Sequence, residues 1–96
     1  MQSVEAIRND MQGKWLYYRN MKQSKHFVDM LKERGIRQDW INRAIETPDS
    51  KKEYDDGTCH YIKQIPEYDN RWLRVIVNIS TSPAILVTAF FDRRLR

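Results

Sequence analysis

Cysteine is almost missing from these 96 residues, Cys59 being the only one. A single thiol excludes an internal disulfide framework, so a reducing cytoplasm is the expected compartment. Glycine and proline are scarce too, with three of each. None of the glycines is spaced to cradle a phosphate. There are two histidines, His26 and His60. With Cys59 they fall short of a closed zinc set, which needs four nitrogen or sulfur ligands, so neither metal nor cofactor is expected. No apolar run approaches membrane-spanning length. The first 14 residues intersperse charges with apolar side chains, unlike a secretory signal. No membrane association is expected.

What is present describes a compact fold. The chain is 41% hydrophobic and 31% charged, enough apolar material for one modest core. A net charge of +4 points to an anionic partner, with nucleic acid first and an acidic protein second. One domain is expected over 1–96, with 1–13 as a helical arm and 14–96 as helices plus sheet.

The stretch 24–36, SKHFVDMLKERGI, reads as a complete helix with its own boundaries. Ser24 suits an N-cap, and Phe27, Val28, Met30 and Leu31 recur at the three-and-four spacing of one apolar face. Lys32 and Arg34 complement the dipole at its end, and Gly35 offers the left-handed closing residue. Before it, Val4, Ile7 and Met11 suggest a short helix, and the aromatic-rich 14–20 favours a strand by propensity. After it, Trp40, Ile41, Ala44 and Ile45 mark a second helix that Pro48 stops.

From Lys51 the period changes from helix to strand. Asp56-Gly57 is a hairpin signal between 51–55 and 58–65. Residues 71–79 alternate, with Leu73, Val75, Val77 and Ile79 on one face and Trp72, Arg74, Ile76 and Asn78 on the other. In 84–92 the same rule puts Ile85, Val87, Ala89 and Phe91 together, opposite Leu86, Thr88, Phe90 and Asp92. The fold class is therefore α+β: two to three N-terminal helices packed on a twisted antiparallel meander. Phe27, Leu31, Ile41, Ile45, Val75, Val77, Val87 and Ala89 are the expected core.

The available chemistry is that of histidine, arginine and tyrosine on a basic surface. RNA cleavage by a 2′-hydroxyl needs a base, an acid and cations around the phosphate, and no metal. His26, His60, Tyr61, Arg34, Arg71, Arg74, Arg93 and Arg94 could supply these. Each also has a plainer reading. His26 suits an exposed helix start, His60 a solvent-facing strand position, and Arg34 a helix end. The charged residues 92–96 suit a solubilising tail, and Cys59 a packed thiol. Arg74 stands out, because it interrupts an apolar strand and a buried guanidinium there requires a carboxylate or phosphate partner. Asp92 and Glu53 are candidates.

The segments KHF and ERGI, the helix ending in TP, DDG with HY, WLRVIV and ILVTAFFD resemble a bacterial family catalogued as domain of unknown function 4258. The likeness runs from about Ser24 to Asp92. Members look like relatives of the RelE/ParE-type toxins, small ribonucleases whose helices pack on a curved antiparallel sheet. The resemblance implies a metal-independent endoribonuclease toxin acting on RNA, ribosome-associated in some cases, with an acidic antitoxin as protein partner. A non-catalytic RNA- or protein-binding module of the same fold is the alternative. Carried over by motif, His26, Arg34, Tyr61 and Arg74 become the catalytic candidates. Lys25, Arg71, Arg93 and Arg94 join them as nucleic-acid contacts. Met30 stands where the family usually has a basic residue.

Overall fold

A computed structural model describes residues 21–95. The arm expected over 1–13 and the strand at 14–20 lie outside the described residues. Helix α1 spans Lys25–Arg34, bounded as its end signals require. The Phe27 amide donates to Ser24 Oγ at 3.0 Å. Gly35 takes φ 66°, and the Ile36 amide reaches back to the Leu31 carbonyl at 2.9 Å. That pairing satisfies a carbonyl the helix end would otherwise leave open. Helix α2, Gln38–Glu46, buries Trp40, Ile41, Ala44 and Ile45.

Four strands follow: β1 (Ser50–Glu53), β2 (Thr58–Ile65), β3 (Arg71–Asn78) and β4 (Ile85–Phe91). They form one antiparallel meander in the order β1-β2-β3-β4. Asp56 and Gly57 turn the first hairpin, Gly57 at φ 85°. A short 3-10 segment, Pro66–Tyr68, leads into Asp69 and Asn70, both left-handed, before β3. The α+β class is thus present, with two helices among the described residues.

Register separates the sheet into two faces. Cys59 opposes Val77 and Tyr61 opposes Val75, so these share a face, as do Val75 with Ala89 and Val77 with Leu86. The helices cover this inner face, α1 against β4 and α2 against β2 and β3. Phe27, Ile41, Leu73, Val75, Val77 and Leu86 are sealed there. His60 opposes Ile76, Ile62 opposes Arg74, and Arg74 opposes Phe90. No helix among the described residues covers that outer face, and its side chains are half-buried.

One core assignment is corrected. Val87 is 46% exposed, while Leu86 is buried. The register slips between Ile76 and Val77, so that Val77 faces Leu86 and Ile76 faces Thr88. Val87 is the extra residue of a bulge, and a bulge resets strict alternation on its own strand. Ala89 keeps its expected inward place because it lies beyond the slip. No helix among the described residues is long and apolar enough to cross a membrane.

Candidate functional site

Period-two alternation sends Arg74 outward from the middle of β3, onto a surface too apolar to solvate it fully. Its side chain is 12% exposed, and the chain supplies Asp92 as counter-ion, with Nε donating to Oδ2 at 2.9 Å. Asp92 sits just beyond β4, held in place by its amide donating to the Trp72 carbonyl. The turn after it brings Arg94 back onto the same carboxylate. The Arg94 amide and Nε both donate to Oδ1 at 3.0 Å, and Nη2 donates to Oδ2 at 3.0 Å. Asp92 is thereby saturated with donors.

The other side of Arg74 meets His60. Nη1 lies 2.9 Å from Nδ1. A guanidinium has only donors and does not lose its proton, so Nδ1 accepts and the ring proton resides on Nε2. His60 is therefore a neutral imidazole with an N–H to offer. Tyr54 covers its ring with centroids 4.2 Å apart, and the Lys52 ammonium lies 5.1 Å from the Tyr54 ring. Tyr54, His60, Arg74, Ile76, Phe90 and Arg94 line an open concavity on this face.

The electrostatics follow from these contacts. Arg94 above all, with Arg74 behind it, holds the Asp92 carboxyl well below the usual carboxylate range. Burial, then repulsion from Arg74, pushes the His60 imidazole below its ordinary value, with Asp56 opposing weakly. Arg74 and Arg94, with Lys52 nearby over the Tyr54 ring, outnumber the carboxylates Asp92 and Asp56, so the concavity carries a small surplus of positive charge. It presents N–H donors among aromatic rings. Among the described residues no His, Cys, Asp and Glu side chains group as metal ligands.

The four residues carried over by motif do not converge. His26 is exposed on the first turn of α1, on the helical side of the sheet. Arg34 closes the same helix, where Nη1 donates to the Ala89 carbonyl at 2.8 Å and to Thr88 Oγ1 at 3.2 Å. It covers part of the β4 edge. Tyr61 is 3% exposed on the inner face, beneath the Lys51 ammonium. Only Arg74 reaches the open face. Met30 is buried and accepts from Thr88 Oγ1 at its sulfur, so it serves packing.

Among the proposed nucleic-acid contacts, Arg94 belongs to the network, while Lys25 is exposed on α1. Arg71 lies over the Tyr68 ring at 5.0 Å, and Arg93 borders a neighbouring groove. The histidine beside the cations is His60, which sequence reasoning weighed and then passed over for His26. Alternation alone would have placed His60 outward, between the inward Cys59 and Tyr61. Its diagonal contact with Arg74 needs the β2–β3 register as well. Tyr54 and Lys52 carried no signal of their own, Lys52 lying in a polar edge strand and Tyr54 just past its end.

The site and fold define a small α+β domain with one sheet face covered by helices and a second, cationic face that no helix covers among the described residues. Residues 23–91 match the family described as Domain of unknown function (DUF4258), and the chain belongs to it. No curated protein and no solved structure matches the chain.

Proposed function

We propose that this protein is an RNA-binding module, related to RelE/ParE-type toxins, that takes single-stranded RNA on its open sheet face. The observation that carries this reading is the His60–Arg74–Asp92–Arg94 network, walled by Tyr54 and Phe90. Asp92 fixes Arg74 and Arg94 in orientation, and His60 Nε2–H adds a neutral donor. Together these suit a phosphate oxygen set, while the rings suit unstacked bases. An acidic antitoxin segment would compete for the same cations.

Binding is favoured over cleavage by the state of His60. Its Nδ1 lone pair is engaged by Arg74 and its Nε2 bears the proton, so no lone pair is free to take a proton from a 2′-hydroxyl. Cleavage would require Arg74 to leave His60 for the phosphate, releasing Nδ1 as base.

The test is anisotropy of a labelled single-stranded RNA, titrated from about 50 to about 200 mM salt, with product analysis in chelator. Affinity should fall steeply with salt, by a logarithmic slope of about 0.7 per phosphate contact. Arg94→Glu should weaken binding at every sequence and flatten that slope. Salt-insensitive binding, or none, would refute the reading. Chelator-resistant cleavage abolished by His60→Gln would convert the module into an enzyme at the same site.

A further inference from the structure

Beside the network lies a second groove of about 390 Å³, within the roughly 300–1,000 Å³ range of small-ligand sites. Trp72 and Leu95 give it apolar walls, and Gln64, Asn70, Arg71 and Arg93 border it. We infer that this groove is a nucleobase subsite, in which one base stacks on Trp72 while an adjoining phosphate meets Arg74 and Arg94. The inference rests on the RNA-binding reading and specifies how that face engages its ligand.

Three observations carry it. First, Trp72 and Arg74 are two residues apart on β3, so both project from the open face, roughly 7 Å apart along the strand. That spacing is comparable with one repeat of a stretched single strand. Second, the groove and the cationic concavity adjoin, since Asp92 and Leu95 line both. Third, Trp72 stands opposite Gln64, whose Nε2 donates to the Asn70 carbonyl at 3.0 Å. That bond orients the Gln64 amide and leaves its oxygen and second N–H for a base edge. An aromatic plane beside an oriented amide is the chemistry by which unpaired bases are held. Asp69 also borders the groove, but Arg71 and Arg93 outweigh it, and the Asp92 charge is already satisfied.

The probes are a short oligouridylate and a ribose-phosphate oligomer of equal length lacking bases. Trp72→Ala should weaken the oligouridylate roughly 5- to 100-fold and leave the abasic oligomer unchanged. Trp72→Phe should recover most of the loss. Irradiating the unaltered protein with a 5-bromouridine oligomer should crosslink Trp72, a readout that needs no variant to fold. Equal losses on both oligomers, no loss on either, or crosslinks confined to other residues would overturn the subsite. Tight binding of both oligomers by the unaltered protein, without preference, would overturn the subsite alone. Binding of neither would remove the RNA reading along with it.

Discussion

Asp92 has almost no contact with water, yet it carries the charge that orders the open face. Its replacement by alanine would strand Arg74 without a counter-ion, at a cost of a few kcal/mol. The two titrating groups of the network act in different pH windows. Asp92 is held low, so its stabilisation is complete above the ordinary carboxylate pKa and disappears as pH falls toward the depressed one. The His60 imidazole is also held low, so below about 6.5 the unfolded chain takes up a proton that the folded protein refuses. Stability must therefore decline once as pH drops below about 6.5 and again below about 4. Urea unfolding at a series of pH values should show both declines. His60→Gln should remove the upper one and Asp92→Asn should blunt the lower one. A single decline indifferent to both substitutions would mean that the network does not form in solution.

At the scale of elements, two glycines separate backbone strain from crowding. Gly35 closes α1 at φ 66° with open space where a Cβ would stand. Gly57 turns the first hairpin at φ 85°, and a Cβ there would meet the Ser80 Cβ at 3.2 Å. Alanine at either position incurs the left-handed penalty of about 1–2 kcal/mol. Gly57→Ala must additionally push Ser80 back by a few tenths of an ångström, so its urea midpoint should lie below that of Gly35→Ala. The reverse order would show that the turn does not pack against the hairpin as described. Helix α2 has a different anchor: Arg43 grips Glu67 through both oxygens, at 3.0 and 2.7 Å. That pairing, above all, lowers the Glu67 carboxyl to about 2. The pair is open to solvent, so its value lies in orienting the 3-10 segment more than in stability.

For the whole molecule, the proposed function has the sheet divide stability from recognition. The inner face holds the core, and the outer face holds the cationic network. Ile41, fully buried, should cost about 2–5 kcal/mol when truncated to alanine. The fraction that remains folded should bind RNA as before. Arg94→Glu should do the opposite, weakening RNA with a smaller stability loss. Calorimetry and anisotropy on the same samples decide it. An Ile41→Ala protein that is folded but fails to bind would show that the two faces are coupled.

Local signals were sufficient for the two described helices and most of the described sheet. Ser24 and Gly35 mark α1, and the spacing from Trp40 to Ile45 marks α2, because capping and helical periodicity act within a few residues. The alternation in β3 likewise sorted Leu73, Val75 and Val77 from Trp72, Arg74 and Ile76, and the need of Arg74 for a carboxylate was legible with Asp92 as a candidate. Alternation in β4 misplaced Val87, because a bulge depends on how two strands align and leaves no mark on one of them. The site was decided by tertiary structure for the same reason. His26 looked equivalent to His60 as a residue type, and Arg34 to Arg74, and only the sheet register and the helical layer assign them to different sides. Periodicity is a property of one segment, whereas a site joins segments whose pairing no single stretch encodes.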